Sequence, residues 1–105
     1  MKKYKIFVAC DSSNINFIKK IIRDTKTNKL EITPKFGLEF FYSKNGRKYL
    51  ENFKGNFFLD LKINDISETA RSAINSIKDL KRCRYITIHA NGGLEMMKAI
   101  KKKIK

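Results

Sequence analysis

Two ionisable residues, Asp60 and Lys62, interrupt the most apolar segment of the chain, residues 56–63. Because side chains alternate between the faces of a strand, both share one face with Phe58. The opposite face carries Phe57, Leu59, Leu61 and Ile63. Burying a carboxylate beside an ammonium group is costly unless the two ions pair. The pattern therefore predicts an ion pair, which Lys35 and Asp65 can extend into an alternating array of lysines and carboxylates. Such an array keeps a cationic proton donor beside a fixed negative charge, which suits general acid chemistry.

The other three predicted strands also end in a polar residue on the face opposite their apolar row. Asp11 follows the first strand, Lys35 ends the second and His89 ends the fourth. Active sites of parallel α/β proteins are built at this end of the strands. Structural interpretations stay open: Asp11 can cap a helix, Lys35 can keep a strand edge soluble, and a lone histidine such as His89 more often supports a loop than catalyses.

Strands that must position these residues are predicted at 4–10, 29–35, 56–63 and 85–89, each followed by a helix. Pro34 is expected near the end of the second strand, where its missing N–H is tolerated. Asn45-Gly46 is expected to break the second helical segment. Asn91-Gly92-Gly93 is read as a turn, with phosphate binding before the last helix as the less favoured alternative.

The helices are predicted from apolar residues that recur at helical spacing. Ser67 is expected to cap the third helix, and the first helix to be capped by Asp11, Ser12 or Ser13. The predicted buried stripes are Ile15, Ile18 and Ile22; Tyr49, Leu50 and Phe53; Ala70, Ile74 and Ile77; and Leu94, Met97, Ile100 and Ile104.

Four βα units in one domain, residues 1–105, predict an α/β fold with a parallel sheet and right-handed crossovers. Two architectures fit this order. One is a small doubly wound open sheet, and the other is half of a (βα)8 barrel of the TIM type. Four strands cannot close a barrel, so the second architecture leaves two strand edges and an inner face uncovered.

Composition restricts the function less than the motifs do. The formal charge of +14 suggests nucleic-acid binding as a hypothesis. The basic residues form no single stripe, however, apart from a carboxyl-terminal group. That group consists of Lys98, Lys101, Lys102, Lys103 and Lys105.

Cys10 and Cys83 have the spacing of neither a disulfide framework nor a zinc site, and Cys10 is interpreted as a packing residue. No apolar run is long enough for a membrane span and no leader peptide is indicated, so a cytoplasmic protein is expected.

Four short motifs along the chain occur in the order found in a known enzyme family. Asp60, Lys62 and Asp65 form a DxKxxD motif inside FLDLKINDI. It is preceded by Ala9-Cys10-Asp11 and by PKFGLE at residues 34–39, and followed by ITIHA at residues 86–90. Together they resemble the orotidine 5′-phosphate decarboxylase family over nearly the whole chain. Related sugar-phosphate decarboxylases and synthases share DxKxxD, so this motif alone does not define the substrate.

The resemblance implies decarboxylation of orotidine 5′-monophosphate to UMP, in pyrimidine biosynthesis, without a metal or an organic cofactor. It implies that Lys62 protonates C6 of the pyrimidine, that Asp60 lies against the departing carboxylate, and that Lys35 and Asp11 contact the ribose. It further implies a homodimer in which Asp65 and Thr69 enter the partner's site. The remaining residues expected to bind substrate are Ile66 and His89.

Two departures from the family pattern affect this interpretation. Ser67-Glu68 replaces the Pro-Asn that usually follows Ile66, which alters the expected dimer contact. The last four strands of the barrel, with the loops that close over the pyrimidine and hold the phosphate, have no counterpart. A decarboxylase fragment or split enzyme with little activity alone is therefore expected. A sugar-phosphate lyase or decarboxylase, a basic nucleic-acid-binding module and a nonfunctional relic are the alternatives.

Overall fold

Strands and helices alternate along the chain in the predicted order. The computed structural model describes residues 4–104, without the side chain of Ile104. Residues 1–3 of the predicted domain, the Ile104 side chain and Lys105 of the lysine group lie outside the described residues. The elements are β1 (Lys5–Cys10), α1 (Ile15–Asp24), β2 (Glu31–Gly37), α2 (Leu38–Phe41), α3 (Gly46–Glu51), β3 (Phe57–Ile63), α4 (Ser67–Ile77), β4 (Cys83–Ile88), a 3₁₀ turn (Ala90–Gly92) and α5 (Gly93–Ile104).

The strands form one parallel sheet in the order β1-β2-β3-β4. A doubly wound sheet reverses its strand order at a switch point, whereas a barrel adds each strand beside the previous one. The sequential order therefore confirms the predicted half of a (βα)8 barrel and excludes the doubly wound alternative.

The helices pack on one face of the sheet, called here the outer face. Phe36 is fully buried there, with ring centroids 5.1 Å from Phe40 and 5.9 Å from Phe57. The buried core joins strand residues Cys10, Phe36, Phe57, Leu59 and Ile63 to helix residues Ile18, Phe40, Leu50, Ala70, Ile74, Ile77, Met96 and Ile100. Burial of this apolar surface is the main force that holds the helices to the sheet. The predicted parity of the strands is confirmed.

Pro34 lies in the middle of β2, not near its end, because the strand continues to Gly37. The Glu31 N–H donates to the Tyr4 carbonyl beside β1 at 3.0 Å, so alternation turns the Pro34 nitrogen toward β3. Pairing of β2 with β3 begins only at Lys35. The missing donor of Pro34 thus precedes the ladder that it would have interrupted.

Asn45-Gly46 separates α2 from α3, as predicted. A Cβ added to Gly46 would lie 1.8 Å from the Phe40 carbonyl oxygen, so only glycine allows this close approach. Leu50 is buried, and Tyr49 and Phe53 pack against the core, in agreement with the predicted stripe.

The predicted helix caps were wrong. Helix α1 begins at Ile15 and is capped by Asn14, whose Oδ1 accepts the Phe17 N–H at 3.2 Å. Ser12 instead accepts the Asn14 N–H, which fixes the loop before the cap. Ser67 is the first helical residue of α4, and its N-cap, Ile66, makes no side-chain cap bond. Sequence did not distinguish Asn14 from the three polar residues before it, because all four side chains are able to cap a helix.

The stripe predicted for α5 was partly wrong. Leu94 lies in the first turn and is 60% exposed. The buried residues of this helix are Met96, Ala99 and Ile100, and α5 packs against α4. Among residues 4–104, no helix has the length and apolarity needed to cross a membrane.

Candidate active site

Lys35, Asp60 and Lys62 meet at the carboxyl ends of β2 and β3, on the inner face of the sheet, which is opposite the helices. The Lys62 Nζ donates to Asp60 Oδ2 at 2.8 Å, and the Lys35 Nζ lies 3.3 Å from the same oxygen. The predicted pairing of Asp60 with both lysines is therefore present. These three residues are called the charge array below.

Asp60 is the buried centre of the charge array. Its side chain is 12% exposed, and its second oxygen, Oδ1, accepts the Thr87 hydroxyl at 2.7 Å. Hydrogen bonds from Lys62 first and then from Thr87 and Lys35 outweigh desolvation and lower the pKa of Asp60 to about 2. The carboxylate therefore stays ionised at neutral pH.

The two lysines differ in their access to solvent. The Lys62 side chain is 61% exposed, whereas that of Lys35 is 29% exposed. Lys62 is therefore the more accessible of the two lysines, although both ammonium groups contact the same Asp60 oxygen.

Thr87 is the site residue that the sequence analysis missed. Parity placed it on the inner face between Tyr85 and His89, but a threonine in a strand gives no further signal of a role. In the structure its Oγ1 donates to Asp60 and accepts the Lys62 backbone N–H at 2.9 Å. Its side chain therefore connects Asp60 to the backbone of Lys62.

Asp11 lies at the carboxyl end of β1 beside Gly37. Its Oδ1 is 3.4 Å from where a Cβ on Gly37 would stand, and Gly37 pairs with Asp60 in the sheet. Since Asn14 caps α1, the cap interpretation of Asp11 is wrong. The Asp11 carboxylate is exposed, and Gly37 places no side chain between it and the array.

Asp65 does not join the array within one chain, so the predicted four-membered array has three members here. Its Oδ1 accepts the Ile66 N–H at 2.8 Å, and among residues 4–104 it forms no ion pair. The turn before α4 directs this carboxylate back to its own backbone. Ile66 is 71% exposed and Thr69 is exposed in the first turn of α4. Their expected role at a dimer interface stays a prediction.

His89 supports the loop after β4. Its ring Nδ1 accepts the Asn91 backbone N–H at 3.3 Å, and the backbone N–H of His89 donates to the Ile63 carbonyl at 2.8 Å. These bonds agree with the structural interpretation of His89. Gly93 has φ 91°, which explains a glycine at the end of this turn.

An aromatic layer lies below the array on the inner face. Phe7 makes edge contacts with Phe58 and Tyr85, with centroids 5.0 and 5.1 Å apart. Lys5 lies over the Tyr85 ring and donates to its hydroxyl. Because Phe58 precedes Asp60 by one inward position, this layer forms an apolar floor beneath the charges.

The cysteines stand apart from this chemistry. Cys10 and Cys83 are both free thiols. Burial on the outer face raises the pKa of Cys10 to about 11, which agrees with a packing role. Within residues 4–104, no group of three or more His, Cys, Asp or Glu side chains is arranged to hold a metal ion.

Comparison with known proteins gives consistent matches. The family model described as orotidine 5′-phosphate decarboxylase / HUMPS family matches residues 4–105. The orotidine 5′-phosphate decarboxylase of Streptococcus pyogenes serotype M5 is 34% identical over 101 residues, which cover 94% of this chain and 43% of that protein. The enzyme of the same name from Streptococcus sanguinis strain SK36 is 33% identical over 104 residues, or 97% and 44%. The chain thus spans less than half the length of these curated relatives.

Proposed function

This chain belongs to the orotidine 5′-phosphate decarboxylase / HUMPS family, and on that basis we propose that its charge array decarboxylates orotidine 5′-monophosphate to UMP. The observation that carries the proposal is the position of Asp60, held between Lys35 and Lys62 at the carboxyl ends of the strands. The names of the curated relatives favour the pyrimidine nucleotide over a sugar phosphate.

The proposed reaction uses charges that are already in place. Asp60 stays ionised, so a substrate carboxylate placed beside it is repelled, and this repulsion is relieved as CO₂ leaves. The bond between C6 and the carboxylate breaks, and its electron pair remains on C6. The Lys62 ammonium stabilises this carbanion and donates its proton to C6, then regains a proton from water. The net change is substrate plus one proton to UMP plus CO₂.

The other residues bind and orient the substrate in this proposal. Lys35 and Asp11 flank the space beside Gly37 and are assigned to the ribose hydroxyls. The exposed Asp65, Ile66 and Thr69 are assigned to a homodimer interface, from which Asp65 and Thr69 reach the partner's site. Two free cysteines support a cytoplasmic location.

Turnover tests this proposal. The chain is incubated with orotidine 5′-monophosphate labelled with ¹³C in its carboxylate, and released CO₂ is followed by NMR. We expect release that falls roughly 10³-fold in Lys62→Ala. The control is Lys81→Ala, an exposed lysine before β4 at the opposite end of the sheet, which should leave release unchanged.

Substrate binding provides a second measurement. It is needed because the curated relatives are more than twice as long as this chain, so turnover by the chain alone is expected to be low. Millimolar substrate should shift the backbone resonances of Asp11, Lys35, Asp60 and Lys62 in a ¹⁵N spectrum. The proposal would be refuted if the chain neither released CO₂ nor showed shifts at these residues. If shifts and turnover occurred with a sugar phosphate but not with orotidine 5′-monophosphate, the proposed substrate would be wrong and the chain would instead act as a sugar-phosphate enzyme of the same family.

A further inference from the structure

The stretch of β3 that carries Asp60 and Lys62 is irregular. Between the residues that pair at Leu59 and Ile63, β3 contains three residues, 60–62, whereas β4 contains one, Thr87. Such bulges re-aim side chains next to active sites and leave backbone groups outside the ladder. Thr87 therefore lies opposite the part of β3 that has lost its regular partners.

Lys62 shows the effect of this irregularity on the backbone. Its φ is 50°, the only positive φ of a non-glycine residue within residues 4–104. This left-handed conformation is uncommon for a side chain such as lysine and persists where surrounding contacts impose it. The contact present here is the Lys62 N–H, which donates to Thr87 Oγ1 at 2.9 Å.

The Thr87 hydroxyl uses its donor and an acceptor position at the two ends of the same bulge. It donates to Asp60 Oδ1 at 2.7 Å while it accepts from the Lys62 backbone. The Lys62 side chain then closes the ring by donating to Asp60 Oδ2. One hydroxyl thus fixes the carboxylate, the lysine backbone and, through both, the separation of the two charges.

We propose that Thr87 is a positioning residue of the charge array, whose hydroxyl holds Asp60 and the left-handed Lys62 backbone in the geometry that pairs their charges. Its role in catalysis rests on the proposed function, but its effect on the array does not. A valine at this position keeps the shape and removes both hydrogen bonds. A serine keeps the hydroxyl and removes only a methyl group.

The test compares Thr87→Val and Thr87→Ser with the unsubstituted chain, each labelled with ¹³C and ¹⁵N. In Thr87→Val we expect the pKa of Asp60, followed through its carboxyl carbon, to rise by roughly one pH unit. Exchange of the Lys62 amide proton should accelerate roughly tenfold. Thr87→Ser should keep both values close to those of the unsubstituted chain. The Asp79 carboxylate, paired with Arg47 away from the site, is an internal control that should not change.

Unchanged Asp60 titration and Lys62 exchange in folded Thr87→Val would overturn the proposal, as would equal changes in the valine and serine variants. If Thr87→Val does not fold, the unsubstituted chain decides: its Lys62 amide must be protected from exchange, and rapid exchange there contradicts the proposal. None of these measurements uses substrate. A failure of the decarboxylation proposal is therefore distinguishable from a failure of this one.

Discussion

The two faces of the sheet differ in what fills them. The outer face places Cys10, Phe36 and Leu59 against the helices, and all three are fully buried. The inner face holds the charge array above an aromatic layer in which Phe7 is still 39% exposed. Since the same strands supply both, alternation along a strand separates residues that stabilise the fold from residues available for chemistry.

Truncation of the outer face should have the largest effect on stability. Phe36→Ala removes the ring that contacts Phe40, Tyr49, Phe53 and Phe57. We expect a loss of about 3–5 kcal/mol in the free energy of unfolding, measured by urea denaturation.

The matched inner-face change is Phe7→Ala, which should lower the free energy of unfolding clearly less than Phe36→Ala. Phe7 is partly exposed, and within residues 4–104 its ring contacts two other rings, those of Phe58 and Tyr85. Equal losses from the two substitutions would show that the inner face contributes as much to stability as the outer face, and the division between the faces would fail.

Acid should reveal the smaller contribution of the charge array to stability. The pKa of Asp60 falls from 3.8 to about 2 on folding, so ionised Asp60 stabilises the fold above about pH 4 and this contribution is lost as the pH falls toward 2. We expect it to amount to about 2 kcal/mol. Asp60→Asn should therefore be less stable than the unsubstituted chain at pH 6 in urea denaturation. The difference in free energy of unfolding between the two proteins should narrow between pH 4 and pH 2. A difference that stayed constant would contradict the predicted coupling of stability to ionisation of Asp60.

The smallest effect is expected from an ion pair that belongs to neither face. Arg47 donates to both oxygens of Asp79, at 2.7 and 2.8 Å, and lowers the pKa of Asp79, but the pair is on the surface. Exposed ion pairs contribute little to stability. Asp79→Asn should leave the urea midpoint nearly unchanged at pH 6. A decrease as large as that of Asp60→Asn would mean that burial on the inner face does not distinguish the charge array.

Sequence predicted the faces well because side chains alternate along a strand, and the bulge in β3 adds two residues relative to β4, which preserves the alternation. Asp60 and Lys62 kept their common face even though β3 bulges between Leu59 and Ile63. The bulge itself and the role of Thr87 could not be predicted, since both depend on how β4 lies beside β3. The position of Asp65 just past β3 predicts that it joins the array, but the turn before α4 gives its carboxylate a nearer backbone partner. Local competition of this kind is decided by geometry that spacing does not contain.

The charge state of Asp60 in the unsubstituted chain decides most directly whether the inner face carries a preorganised array. Its carboxyl carbon can be titrated by ¹³C NMR in the chain without substrate. A pKa of about 2 is predicted, because Lys62, Thr87 and Lys35 all contact this carboxylate. A value at or above the ordinary 3.8 would show that the contacts do not persist in solution, and the charge array would be contradicted.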